Sequence, residues 1–257
     1  MAPMPKKASK DRTFRPAALA RGRPSRLPLM TVDVVIFSVI DDSLQVLLVK
    51  RPGGQDEPFP NLWALPGGFV DVDQDADLVA CARRKLKEKT GVVSPYLEQL
   101  GSWGSAKRDP RGWSATHAYF ALIPSRDVVL AKGANAAEVS WFGIDQAMNR
   151  LKLAFDHADI LKVAVDRLRG KVEYTSLPAF LLPEPFTLPQ LQRTYEIVLG
   201  RPVDKSGFRT RMLAAEFLEE AGYVDGESNR PAMGYRLRDR KAPALFPRTF
   251  SPRTMEP

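Results

Sequence analysis

The residues best placed to do chemistry lie in one stretch, GGFVDVDQDADLVACARRKLKEKTGV, from Gly67 to Val92. Two adjacent glycines, Gly67 and Gly68, open a turn, and Asp71, Asp73, Asp75 and Asp77 follow. The spacing predicts a helix from about Asp77 to Thr90. Asp77 suits the N-cap, and Gly91 suits the left-handed position after the last turn. At 100° per residue Val79, Ala82 and Leu86 share one stripe, the core face. Lys85, Glu88 and Lys89 stand beside it at i, i+3 and i+4, so one carboxylate sits between two ammonium groups. Mg²⁺ takes hard oxygen ligands in octahedral order, and two flanking lysines repel it. Arg84 and Glu88 also form an ordinary i, i+4 pair, which gives Glu88 a structural reading.

The elements that must hold this stretch are legible around it. Thr31–Ile40 and Leu44–Lys50 are β-branched, apolar runs separated by Asp41–Ser43, and they read as a hairpin. Arg51–Pro60 is a polar loop with Gly53 and Gly54, and Leu62–Pro66 leads into the glycine turn. Tyr96–Ser105, Thr116–Ile123 and Val139–Phe142 are strand-like, and Leu151–Arg169 carries helical spacing. Between two strands lies Lys107–Trp113, KRDPRGW, a loop by its Pro and Gly. It reads either as a pocket wall, with Arg108 or Arg111 on phosphate and Trp113 near a base or in the core, or as a salt-bridged turn over a buried tryptophan. His117 and His157, of unlike context, read as structural.

The chain has 257 residues, 44% hydrophobic and 26% charged, which fits a soluble globular protein of one or two domains. It has no apolar run of the roughly 18 residues a membrane span needs. The lone Cys81 excludes an internal disulfide and fits a reducing, cytoplasmic compartment. Two histidines and one cysteine make a poor basis for zinc. Of the net charge of +8, seven units belong to residues 1–27, so the charge alone is weak evidence for nucleic acid. That Pro-rich, basic segment reads as a disordered arm, either a phosphate-contacting one or a plain extension.

Ser176–Pro185, with three prolines, reads as a linker. Thr187 then caps a helix, Leu188–Leu199, with Pro189 in its first turn and Gly200 after its end. Asp204 opens a second helix with Phe208, Met212 and Leu213 inward and Lys205, Ser206, Arg209 and Arg211 outward. Glu219–Gly226 and Arg230–Leu237 read as a hairpin. Helix, short turn, cationic helix and hairpin form a winged helix-turn-helix pattern, though two cationic helices in a small bundle give the same pattern.

Two resemblances sharpen these readings. Gly67–Val92, with the preceding Leu65 and Pro66, resembles the Nudix box, G-x5-E-x7-R-E-U-x-E-E-x-G-U. Arg84 to Val92 aligns without a gap, but two of three metal glutamates are Lys85 and Lys89, and only Glu88 remains. Gly68 to Arg84 is two residues longer than the pattern, and the upstream glutamate position falls on Ala76. The resemblance implies a Nudix α/β/α sandwich over about Met30–Tyr174. With lysines where the metal stood, the pocket suits a diphosphate without activating a water. The segment FTLPQLQRTYEIVLGRPVDKSGFRTRML resembles the winged helix of the Nudix-related transcriptional regulators of NAD metabolism, a family to which the altered box and KRDPRGW are also similar.

The resemblance implies an α+β chain. Residues 1–27 are an arm, 28–175 a Nudix-like sensing domain, 176–185 a linker and 186–257 a winged helix DNA-binding domain. It further implies a cytoplasmic, homodimeric repressor of NAD biosynthesis or salvage genes, nucleoid-associated when bound, that leaves operator DNA on binding ADP-ribose or a related nucleotide. No cofactor, metal, catalytic residue or membrane enters this reading. The expected ligand residues are Arg51, Gly67, Gly68, Lys85, Glu88, Lys89, Arg108 and Arg111. The expected DNA residues are Lys205, Ser206, Arg209, Arg211, Arg230 and Arg236. Two alternatives stay open. One is an ADP-sugar diphosphatase recruiting metal through Glu88 and Asp71, Asp73, Asp75 and Asp77. The other is an ADP-ribose reader whose C-terminal domain binds protein.

Overall fold

The computed structural model describes residues 27–92, 96–128, 130, 137–225, 231–247 and 249–250. The expected basic arm lies outside them but for its last residue, and Arg230 lies outside them as well.

The strand β1 (Leu29–Ile40) is the hub of a seven-stranded sheet. It forms a hairpin with β2 (Ser43–Lys50), closed by Asp41 and Asp42 at φ 48° and 54°. Two left-handed residues in a two-residue loop match the strand twist, and Asp is among the residues that tolerate the conformation. β3 (Trp63–Ala64) pairs with the end of β2. β4 (Gly67–Phe69) pairs with the first half of β1. The helix α1 (Leu78–Thr90) follows, capped by the Asp77 carboxylate on the Ala80 N–H and by left-handed Gly91, as the spacing predicts.

β5 (Tyr96–Ser105) and β6 (Ser114–Leu122) form an antiparallel pair, and β6 runs parallel to β1 along its other edge. β7 (Glu138–Gly143) pairs with β2, and the short α2 (Ile144–Asn149) leads to α3 (His157–Val172). The expected start of α3 at Leu151 is too early. Leu153 bridges to Trp63, and Phe155 is left-handed at φ 54°, which no α-helix tolerates.

Alternation along β1 builds two cores. Val32, Val34 and Ile36 face Cys81, Ala82 and Leu86 of α1, while Val35 and Phe37 face Ile160, Leu161 and Ala164 of α3. The result is the expected α/β/α sandwich.

The C-terminal part holds β8 (Phe186–Thr187), α4 (Leu188–Leu199), α5 (Lys205–Ala214), β9 (Leu218–Asp225) and β10 (Pro231–Leu237). Thr187 and Gln190 form a reciprocal capping box on α4, Gly200 ends it at φ 71°, and Asp204 caps α5 on the Gly207 N–H. β9 and β10 pair antiparallel as the wing, with β8 on the far side of β10. Phe208 and Met212 point inward as expected, but Leu213 is exposed.

The stretch expected as a linker is not an open tether. Leu177–Leu181 forms a buried 3-10 turn, with Leu177, Phe180 and Leu181 in the same apolar core as α3 and α4. Three apolar side chains there supply the burial, at about 1.5–3 kcal/mol each, that keeps a Pro-rich segment from running free.

Candidate functional site

The wall expected for a ligand pocket begins at the glycine turn. Gly67 lies so close to β1 that a Cβ would stand 2.0 Å from Asp33 Oδ1 and 2.6 Å from the Val32 carbonyl oxygen. Only glycine allows that approach. Gly68, at φ 151°, has Lys85 above it: a Cβ there would stand 3.2 Å from Lys85 Nζ. The fold thus brings the Lys85 ammonium over the turn, 3.7 Å from Glu88 Oε2. Lys89, one turn further, is buried, and that burial pulls its pKa down, with Lys85 adding to the fall and Glu88 opposing it. Glu88 is also held by Arg84 at 3.1 Å.

This corner does not fit Mg²⁺. Its one box carboxylate is paired to two cations, and among the described residues no three His, Cys, Asp or Glu side chains gather to hold a metal. Three of the four loop aspartates have other work. Asp75 takes Arg84 in a bidentate pair at 2.7 and 2.5 Å. Asp71 accepts from Gln74 Nε2 and from the Asp73 N–H, and Asp77 caps α1.

The sequence-predicted arginines gather at the same end of the sheet, in unlike states. Arg51 donates to Glu57 and to the Pro58 carbonyl oxygen, and lies 5.0 Å from the centroid of the Phe155 ring. Arg111 is held by Asp109 and lies 5.2 Å from the centroid of half-exposed Phe69. Arg108 departs from expectation as a free phosphate ligand. Its side chain is 4% exposed, its guanidinium is bidentate on Asp156 at 2.9 and 2.7 Å, and Asp33 stands 3.6 Å away. Its place is beneath the wall.

His157 completes that buried network: Leu65 N–H donates to Nδ1 at 2.9 Å, so Nε2 carries the proton and faces Asp33 at 3.5 Å. Burial alone would raise the Asp33 pKa, but His157, Thr116 and Arg108 outweigh it and hold the carboxyl below its ordinary value. Trp113 is half exposed rather than in the core.

Sequence reasoning missed the aromatic part of the wall. Phe59 and Phe155 have ring centroids 4.7 Å apart, and both are left-handed, at φ 56° and 54°. Such backbone costs of order 1–3 kcal/mol per residue and persists only where its surroundings impose it. Asp33, Asp75 and Asp156 were missed as supports for a related reason. Their partners lie across the sheet or around a lengthened loop, and no local spacing signals them.

The second candidate face lies on α5. Lys205, Ser206 and Arg209 are exposed there, and Arg236 is exposed on the wing strand β10. Arg211 is not on that face: its guanidinium lies 4.0 Å from the Phe250 ring centroid and donates to the Thr249 carbonyl oxygen at 2.8 Å.

Comparison with known proteins matches both parts of the chain. Residues 29–164 match the NUDIX domain, and residues 178–237 match the NrtR DNA-binding winged helix domain. The ADPR responsive transcriptional repressor NtrR of Acinetobacter baylyi is 48% identical over 86% of this chain and 86% of its own length. An ADP-ribose pyrophosphatase of Methanocaldococcus jannaschii is 33% identical over 54% of this chain and 74% of its own. Among solved structures, Shewanella oneidensis NrtR complexed with a 27mer DNA superposes with a TM-score of 0.78 at 40% identity, over 86% of this chain and 99% of that one. The chain belongs to the NrtR family, in which a Nudix domain is followed by a DNA-binding winged helix domain.

Proposed function

We propose that this protein is a transcriptional repressor of NAD biosynthesis or salvage genes, binding operator DNA as a homodimer and released by ADP-ribose or a related nucleotide. Residues 28–175 sense the nucleotide and residues 186–257 read DNA. The protein works in the cytoplasm, on the nucleoid when bound. The observation that carries the reading is the Lys85 ammonium standing over Gly68, where the box of a hydrolase offers carboxylates. A fixed cation there holds a diphosphate and activates no water. The relative that is an ADPR responsive repressor supports the choice of effector and of DNA as partner.

In this reading Arg51, Gly67, Gly68, Lys85, Lys89 and Arg111 line the ligand site, with Arg108 and Glu88 bracing it. Lys205, Ser206, Arg209 and Arg236 meet DNA. Against the diphosphatase alternative speaks the engagement of three of its four aspartates, Asp71, Asp75 and Asp77, within the loop and helix cap. The test is anisotropy of labelled promoter DNA from the source organism's NAD genes, titrated with protein and then with ADP-ribose at fixed salt. Binding that ADP-ribose reverses supports the reading. Binding unaffected by ADP-ribose, with calorimetry showing the nucleotide bound, overturns it.

A further inference from the structure

The winged helix match ends at residue 237, yet the chain beyond it returns to the sensing domain and then to the reading helix. Ala244 and Phe246 form backbone hydrogen bonds with the chain just past α3. Ser176 N–H donates to the Ala244 oxygen at 3.0 Å, and Phe246 N–H donates to the Tyr174 oxygen at 2.8 Å. The Ala244 N–H donates to Ser176 Oγ at 2.9 Å. The same segment backs α5. Phe250 packs on Phe208 and Tyr195, with centroids at 6.0 and 5.2 Å, and Arg211 lies over Phe250 and Phe246.

Glu173, just past α3, joins both sides of α5. Its Oε1 holds Arg201, in the turn that enters α5, at 2.7 Å, and its Oε2 accepts the Phe250 N–H at 3.1 Å.

We infer that residues 244–247 and 249–250 are a working part of the DNA-reading head, and that Glu173 is the positioning residue through which the end of α3 seats the recognition helix. It touches no DNA itself. It fixes the turn in front of α5 and the segment behind it, and both are needed to hold a helix of ten residues at one angle in a groove. This rests on the assignment of α5 to DNA.

The experiment uses the full chain and an operator obtained by selecting random duplexes with the wild-type protein. Glu173→Gln and Phe250→Ala are compared with wild type for operator and scrambled-duplex affinity at one salt concentration, for ADP-ribose binding and for melting temperature. A tilted recognition helix loses base contacts but keeps phosphate attraction. Operator affinity should therefore fall about tenfold while scrambled-duplex affinity stays, shrinking their ratio. Simple loss of folded protein lowers both affinities together and leaves the ratio alone. If Phe250→Ala does not fold, Glu173→Gln, which keeps an acceptor for the Phe250 N–H, decides. A ratio within about twofold of wild type in a folded variant overturns the inference. A wild-type protein that selects no operator overturns the DNA assignment instead. A wild-type operator complex indifferent to ADP-ribose overturns only the effector reading.

Discussion

Arg84 clasps Asp75 with two hydrogen bonds, from Nε at 2.7 Å and from an Nη at 2.5 Å, across the lengthened loop of the box. The Asp75 side chain is 1% exposed, and the Arg84 hydrogen bonds hold its carboxyl well below the usual carboxylate range. Alignment back from Arg84 put Ala76 at the upstream acidic position, and the two extra residues let Asp75 reach instead. The pair ties the acidic loop to α1 at the residue just before Lys85.

The first prediction follows from that pair. Asp75→Asn should cost about 1.5–3 kcal/mol of stability at pH 7, the range for hydrogen bonds to charged groups. A depressed folded-state pKa stabilises above the unfolded value of about 4, and the contribution fades as pH falls below it. The gap between wild type and variant in denaturant unfolding should thus be full at pH 7 and narrower at pH 3. Equal gaps would contradict the pair's ionic character.

The second prediction separates two lysines that look alike in sequence. Lys85 stands over the turn, whereas Lys89 is buried at 7% exposure. A charge-assisted hydrogen bond is worth roughly 1.5–3 kcal/mol, so Lys85→Ala should weaken ADP-ribose about tenfold to a hundredfold by calorimetry while melting barely moves. Lys89→Ala should change melting at least as much as binding, because it empties space against the core. Normal ADP-ribose binding by Lys85→Ala would make Lys85 part of a solvated helix face rather than a ligand contact.

The third prediction contrasts Arg108 with Arg111. Removing Arg108 takes the bidentate partner from part-buried Asp156 and one cation from buried Asp33, which keeps His157 and Thr116, and breaking a buried pair costs up to about 3–5 kcal/mol. Arg108→Ala should therefore unfold at markedly lower denaturant. Arg111, itself exposed but paired to buried Asp109, should lose ligand affinity on change to Ala and cost less stability than Arg108, whose guanidinium is buried as well. The reverse ranking in unfolding and calorimetry would place Arg108 on the ligand.

These contrasts mark where the sequence was legible. Caps and periodicities are local, so Asp77, Gly91, Thr187, Gly200 and Asp204 could be placed from their neighbours alone. The box carried its glycines and lysines with it for the same reason. Arg108 and Asp156, 48 residues apart, meet only because β6 and α3 pack on the sheet, and no spacing announces that. Leu177–Leu181 misled for a different cause. Its prolines signal a break in regular structure, and burial depends on what surrounds the break.

The last prediction divides the arginines of α5. Arg209 is exposed on the face of α5 proposed to read DNA, and Arg211 is turned onto Phe250 and the Thr249 carbonyl. Each phosphate contact released adds close to one counterion to the salt dependence, so losing one lowers the slope of log affinity against log salt by about 0.9. Arg209→Ala should show that smaller slope, or, if Arg209 reads a base, relaxed preference at one operator position with the slope kept. Arg211→Ala should leave the slope unchanged and lower the melting temperature, since it strips a cation from an aromatic pair and a donor from a carbonyl. Operator titrations at four salt concentrations, with melting curves for both variants, decide between them. A reduced slope for Arg211→Ala, with melting unchanged, would put Arg211 back on the DNA.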